Sequence, residues 1–323
     1  MSLTTRMPSG KPHWPLILLA GVEKSGKTYE AAKASASKLV DRTFWVTFGE
    51  DDPDEYGAIP GARFEIVQHD GTYRGLMNTL DAIEAEPVTD KPHLIVLDSG
   101  TRLWDLLTDE AQFSANTRAK KKASRANQAA PEGDVSIGMD LWNVAKARWA
   151  HVVTTLKDHR GPVLITARLD SVAELDGRGE PIPGRKTWKI KAEKSLPFDV
   201  GAIVEMHALG DAILTGVRSL RIKPDESRNL RDWMTTGVEG LWKSLGIADA
   251  TDRTHEPVDG ERSLAVEKER DALLTQILDL TDGKPGPLVE QWRKDHGHPI
   301  NITTDLDGLR ALVASLTKEP TDG

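Results

Sequence analysis

One octapeptide constrains this chain more than any other feature. Residues 21–28 read Gly-Val-Glu-Lys-Ser-Gly-Lys-Thr, a complete match to the phosphate-binding pattern G-x-x-x-x-G-K-[ST], set between an apolar run and a stretch with helical spacing. Its glycines let successive backbone N–H groups surround phosphates, Lys27 reaches the terminal phosphate oxygens, and the Thr28 hydroxyl can bind Mg²⁺. The segment therefore predicts a magnesium–nucleotide site. Its predicted binding residues are Gly21, Val22, Glu23, Lys24, Ser25, Gly26, Lys27, Thr28 and Tyr29.

Composition narrows the class of protein. With 323 residues, the chain is long enough for a full α/β core and a smaller appended unit. The absence of cysteine excludes a disulfide framework and a thiolate metal site, and it suits the cytoplasm, where we expect the protein. The longest apolar run falls far short of the roughly 20 residues of a membrane span, so we expect no membrane insertion. The net charge of −8 excludes a uniformly basic surface but leaves room for local basic segments.

Apolar runs and helical patterns alternate along the first half of the chain. The alternation predicts an α/β fold with a mostly parallel central sheet flanked by helices. Residues 169–235 show short alternating segments separated by turns, which is typical of antiparallel hairpins added to the sheet. Residues 114–137 are polar and rich in Lys and Arg, and they are predicted to form a long mobile loop. The predicted strands are 15–20, 42–48, 63–67, 93–98 and 162–167, and the predicted helices are 29–39, 72–85 and 139–158.

A change of composition near residue 248 predicts two domains. Residues 1–247 form the predicted nucleotide-binding domain, and residues 248–262, rich in Asp, Thr and Pro, form the predicted linker. Residues 263–323 are predicted to form a small helical domain. Its three predicted helices are 263–280, 287–295 and 304–316.

Two acidic residues follow predicted strands at the edge where the phosphates are expected. Asp98 is the predicted carboxylate on the Mg²⁺ side, acting through water, and a role as a helix N-cap is the alternative. Glu50 closes the strand at 42–48 and could orient an attacking water. A solvated acidic turn is the alternative for Glu50. The competitors for its role in that turn are Asp51, Asp52, Asp54 and Glu55.

These segments together resemble the ATPase core of RecA-like recombinases. Residues 12–245 are more closely similar to AAA-type ATP-binding proteins of actinobacteriophages, including the core-only RecA-like single-strand annealing group. The resemblance implies ATP and Mg²⁺ as cofactors and ATP hydrolysis as the activity. It also implies that Glu50 is the catalytic carboxylate and that Asp54 and Tyr56 hold the adenine, although Tyr56 fits equally well as a core residue. Glu23 and Ser25 match the phosphate loop of the family.

The sequence departs from that family at three places. Lys24 replaces a small polar residue and is either an extra phosphate contact or a solvated side chain. The strand ending at Arg168 lacks the usual amide sensor of the γ-phosphate, which leaves Thr166 or Arg168 as its substitute. No polymerisation helix is recognisable ahead of the first strand, so we expect no filament formed by the usual route.

Two basic segments suggest partners. A run without acidic residues predicts non-specific contact with single-stranded DNA through Arg118, Lys120, Lys121, Lys122 and Arg125, with a solvated polar loop as the alternative. The resemblance implies that cations beyond residue 184 enter the ATP site of a neighbouring copy, and Lys191 and Lys194 are the candidates. For these two lysines a cross-strand surface ladder is the alternative, and Arg218 and Arg221 are weaker candidates for the same role. Such trans-acting cations would require a homo-oligomer.

The predicted function is ATP hydrolysis that controls single-stranded DNA in recombination or replication of the phage type. One alternative is an ATP-driven loader of a protein partner such as a helicase, with residues 263–323 as its adaptor. The other alternative is a nucleotide-gated binding module with little hydrolysis. Stimulation of hydrolysis by DNA distinguishes the first two, and turnover distinguishes both from the third.

Overall fold

The computed structural model describes residues 5–222, 230, 232–252, 260–281, 283–303 and 305–317, with the backbone alone at 260–266 and 302. The chain divides into two compact units, Met1–Arg253 and Thr254–Gly323. Residues 253–259 of the predicted linker lie outside the described part, and the predicted domain boundaries stay a prediction. No helix in the described part is both long and apolar enough to cross a membrane.

An eight-stranded sheet forms the centre of the first unit. Its strand order is β3-β2-β4-β5-β1-β7-β8, and β6 pairs with β5 beside this path. Neighbours are parallel from β3 to β7, whereas β5–β6 and β7–β8 are antiparallel hairpins. This topology confirms the predicted mostly parallel sheet with a hairpin extension. The strands are β1 Leu16–Gly21, β2 Thr43–Thr47, β3 Glu65–Ile66, β4 Leu94–Asp98, β5 Val163–Leu175, β6 Pro181–Lys191, β7 Ala202–Ala208 and β8 Asp211–Val217.

Helices cover both faces of the sheet, which is why the central strands are continuous apolar runs. Every residue of β1 and β4 is buried. Alternate residues of β1 enter opposite cores, because side chains alternate along a strand: Leu16 and Leu18 lie in one core, Ile17 and Leu19 in the other. The helices of this unit are α1 Lys27–Ala34, α2 Tyr73–Glu84, α3 Gly100–Arg125, α4 Met139–Asp158, α5 Leu196–Asp199 and α6 Trp233–Leu245.

In its described part, the second unit contains three α-helices around a small core of its own. They are α7 Gly260–Leu280, α8 Gly286–His296 and α9 Leu306–Thr317, close to the predicted positions. The fully or nearly fully buried apolar residues of this unit are Ile277, Trp292, Ile300, Leu309 and Val313.

The predicted mobile loop at 114–137 is wrong in its first half, because α3 continues to Arg125. This segment contains neither Gly nor Pro and is rich in Ala, Lys and Arg, all good helix formers. Its small apolar face is enough to fix the helix, since Ala115 and Ala123 are buried. The connection that follows is also held, by hydrogen bonds from Asn116 to Asp134 and from Gln112 to Val135.

Candidate nucleotide-binding and hydrolysis site

The octapeptide connects the carboxyl end of β1 to the start of α1, as a phosphate-binding loop requires. Gly26 is the N-cap of α1 and has a φ of 91°, a conformation that glycine adopts without strain. A Cβ on Gly21 would lie 2.3 Å from Ser25 Oγ and 2.9 Å from Met206 O. Glycine is therefore needed at both motif positions. Glu23 and Lys24 are largely exposed and paired with each other at 3.5 Å, while Ser25 is buried.

Lys27 begins α1 and turns its ammonium back into the loop. Its Nζ donates hydrogen bonds to Gly21 O at 3.1 Å and Val22 O at 2.9 Å. Burial lowers the pKa of Lys27, against the opposing effect of the nearby carboxylates of Asp98 and Glu50. The ammonium is thus partly desolvated and lies where phosphate oxygens can replace the two carbonyl oxygens.

Asp98 lies at the end of β4, opposite the start of α1. Thr28 Oγ1 donates to Asp98 Oδ2 at 3.3 Å, and Thr166 Oγ1 donates to Asp98 Oδ1. Burial raises the pKa of Asp98, and the charge of Glu50 adds to the rise. The N-cap of α3 is Ser99, whose hydroxyl accepts from Arg102 N, so Asp98 does not have that role.

The hydroxyl and buried carboxylate fit the oxygen ligands that Mg²⁺ prefers. Thr28 and Asp98 would hold the ion, which when bound supplies positive charge beside the phosphates. Among the described residues, no group of three or more His, Cys, Asp or Glu side chains forms a further metal site.

Glu50 follows β2 and is held from three sides. Arg168 Nη2 donates to Oε2 at 2.8 Å and to Oε1 at 2.9 Å, and Ser99 Oγ donates to Oε1 at 2.7 Å. Arg102 Nε lies 3.9 Å from Oε1. Burial alone would raise the pKa of Glu50, but these hydrogen bonds and positive charges outweigh it, and the pKa is lowered. Its competitors Asp51, Asp52, Asp54 and Glu55 are all exposed.

The structure places the predicted adenine-binding residues in a short 3₁₀ helix, Asp54–Ala58, next to α1. Asp54 is exposed. Tyr56 is half-buried against the apolar core on the α1 side of the sheet. Tyr29, in the first turn of α1, is also half-buried. Their contact with a base stays a prediction.

All four predicted trans-acting cations are exposed, and one of them is paired with a carboxylate. Lys191 ends β6 directly opposite Arg168, the residue that binds Glu50. Lys194 and Arg218 are exposed. Arg221 donates to Asp249 Oδ2 at 3.0 Å, which occupies its guanidinium.

The predicted DNA-binding cations lie on the last turns of α3 rather than on a loop. An open groove there is lined in part by four of these cations, Arg118, Lys121, Lys122 and Arg125. The fifth, Lys120, is exposed nearby. Arg118 pairs with Asp140 of α4, which partly neutralises its charge. The helix fixes the spacing of these cations, which a loop would not.

Sequence reasoning assigned no role beside Glu50 to Ser99, Thr101 and Arg102, which lie in and before the first turn of α3. Only the position of Ser99, between a strand and a helix, signals a cap; its contact with Glu50 depends on the sheet order. Trp188 on β6 was also missed. This residue is 45% exposed, although its ring contacts His207 with 5.0 Å between the ring centroids.

No protein-family model matches this sequence, and no curated protein is significantly similar to it. Solved structures that match include the RadB recombinase, with 16% identity and a TM-score of 0.36 over 65% of this chain and 84% of that chain. They also include an ATPase from the type III secretion system of pathogenic bacteria, with 11% identity and a TM-score of 0.36 over 94% of this chain and 80% of that chain. At these values, neither likeness says what this chain binds or does.

Proposed function

We propose that this protein is a RecA-like P-loop ATPase that hydrolyses Mg·ATP. The observation that carries the proposal is the position of Glu50. Its carboxylate is held by Arg168 and by Ser99, the residue that directly follows Asp98, and its charge acts on the pKa of Lys27 and of Asp98. A carboxylate beside the phosphate loop and the metal-side Asp is the group that ATP hydrolysis needs in addition to ATP binding.

Each residue has a defined task in this proposal. The backbone of residues 21–28 and Lys27 bind the phosphates, and Thr28 and Asp98 hold the magnesium side. Glu50 accepts a proton from the attacking water. Its lowered pKa keeps it ionised at neutral pH, as a proton acceptor must be. Arg168 approaches the γ-phosphate from β5 and takes the place of the amide sensor.

Residues that contact the adenine, and residues from a neighbouring copy, complete the proposed site. Asp54 and Tyr56 contact the adenine from beside α1. In a homo-oligomer, Lys191 and Lys194 of one copy contribute positive charge to the γ-phosphate of the next, where charge develops during hydrolysis.

Single-stranded DNA is the proposed partner, within phage-type recombination or replication. The cationic groove at the end of α3 suits a phosphate backbone, because Lys121, Lys122 and Arg125 are exposed and the described residues that line the groove include no acidic side chain. Exposed Trp188 adds a ring on which a base can stack. Residues 263–323 are the proposed contact for a protein partner.

The decisive experiment measures ATP hydrolysis with and without single-stranded DNA. Glu50→Gln should lower kcat by roughly 10²–10⁴-fold while ATP still binds, and Lys27→Ala should weaken binding itself. Glu55→Gln, in the same acidic turn but exposed, is the matched control and should keep the parent rate.

A nucleotide-gated binding module is the second candidate, because Arg168 neutralises Glu50 in this structure. Stoichiometric ATP binding without turnover, with or without DNA, would favour the module. ATP turnover at the same rate with and without DNA would support the ATPase and argue against the proposed DNA partner.

A further inference from the structure

We propose that Thr101 is a positioning residue that connects the β5–β6 ribbon to the hydrolysis site, so that the placement of Arg168 depends on the Thr101 hydroxyl. The inference deepens the proposed function and rests on it. Thr101 is fully buried in the first turn of α3. It contacts neither phosphate loop nor Glu50 in any hydrogen bond that the described residues form, and it acts through its neighbours.

Strand β5 exchanges one neighbouring strand for another beside Thr101. Strand β1 occupies one edge of β5 through residues 163–168. The other edge is shared: β4 pairs with β5 up to Leu97 opposite Ile165, and β6 takes over at Lys191 opposite Arg168. Between Ile165 and Arg168, this edge of β5 is paired with neither β4 nor β6. A joint of this kind needs another group to hold it, because unpaired buried backbone groups are costly.

The Thr101 hydroxyl provides that group. Its oxygen accepts a hydrogen bond from Arg168 N at 2.9 Å, and its O–H donates one to Lys191 O at 2.5 Å. One hydroxyl therefore binds the backbone of both ribbon strands at the point where the ribbon leaves the sheet. Both capacities of the hydroxyl, donor and acceptor, are used.

The same joint determines where a catalytic carboxylate is held. The Arg168 guanidinium binds Glu50, and Ser99, two residues before Thr101, binds the same carboxylate. A ring of contacts therefore runs from Glu50 to Arg168 and from Arg168 to Thr101. It returns along the first turn of α3 to Ser99, which binds Glu50. A displacement of the Arg168 backbone would move its guanidinium relative to Glu50.

The test compares Thr101→Val, which removes the hydroxyl at nearly constant volume, with Thr101→Ser, which keeps it. Each is measured for kcat, KM and affinity for a fluorescent ATP analogue, in the parent chain and in Arg168→Ala. Thr101→Val should lower kcat about tenfold or more with analogue affinity within about twofold, whereas Thr101→Ser should stay near the parent. In the Arg168→Ala background, Thr101→Val should cause no further loss of kcat, because both changes remove one function.

Thermal unfolding checks that each variant is folded. If Thr101→Val does not fold, Thr101→Ala replaces it, since the smaller side chain leaves room for water to bind the two backbone groups. An unchanged kcat in the folded variant overturns the proposal, and so does an equal loss in the Arg168→Ala background. If the parent chain does not hydrolyse ATP, both the proposed function and this proposal are wrong. If the parent chain hydrolyses ATP and the Thr101 variants do so equally well, only this proposal is wrong.

Discussion

Arg168 holds Glu50 through three hydrogen bonds, from Nη2 to both carboxylate oxygens and from Nε to Oε1 at 3.2 Å. The two residues are 118 positions apart in the chain. A planar guanidinium that binds both oxygens fixes the orientation of the carboxylate as well as its charge. The proton acceptor of the proposed reaction is therefore oriented before any nucleotide enters.

Loss of Arg168 should shift the pH dependence of hydrolysis. Because hydrogen bonds and charge from Arg168 help to lower the pKa of Glu50, Arg168→Gln should raise that pKa. The base works only when ionised, so activity is lost as pH falls through this pKa, and the loss should begin at higher pH in the variant. The acid side of the kcat–pH profile measures it. Arg178→Gln, on the exposed ribbon turn, should leave the profile unchanged.

Asp98→Asn should stabilise the nucleotide-free protein while abolishing Mg²⁺-dependent hydrolysis. Burial raises the pKa of Asp98, so its charge destabilises the fold above that pKa. We expect a Tm increase of roughly 2–4 °C at neutral pH. The difference should close at acid pH, below the ordinary carboxyl pKa, where both side chains are neutral. Melting curves across pH test this, and a variant that is less stable at neutral pH would contradict it.

Gly21→Ala should impair nucleotide binding. The added Cβ would lie 2.3 Å from Ser25 Oγ and 2.9 Å from a backbone oxygen of β7, and the backbone cannot yield without distorting the loop. We expect affinity for an ATP analogue to fall about tenfold or more. Gly177→Ala, in the turn between β5 and β6, is the matched control, because nothing lies within 4 Å of the Cβ it would gain. Equal affinities in the two variants would argue against the loop as the binding site.

Neutralising the groove of α3 should weaken binding of single-stranded DNA and reduce its salt dependence. A triple substitution by Ala, at Lys121, Lys122 and Arg125, removes three positive charges. The slope of log K against log salt concentration should therefore decrease in magnitude by about 2. Fluorescence anisotropy at several salt concentrations measures it. The charge-matched control replaces exposed Lys284, Arg293 and Lys294 of the second unit. If the control lowers the slope equally, the groove is not the DNA site.

Local patterns determined the phosphate loop and the elements on both sides of it. A loop motif, buried apolar runs and helical spacing depend on residues close in sequence, and strands β1, β2, β4 and helix α4 lie where those patterns placed them. The position of Glu50 after β2 was also readable, since parallel strands end at one edge of the sheet. The error at 114–125 came from polarity: a solvated helix and a loop share the same composition.

Tertiary structure alone decided which distant side chains meet. The meeting of Arg168 with Glu50 follows from the strand order β2-β4-β5, and the meeting of Thr101 with Lys191 follows from β6 replacing β4 along β5. No local pattern contains strand order, because it depends on how whole elements pack. The sequence by itself determined a loop that can bind phosphates, and the packing of the sheet placed around it the groups that can use them.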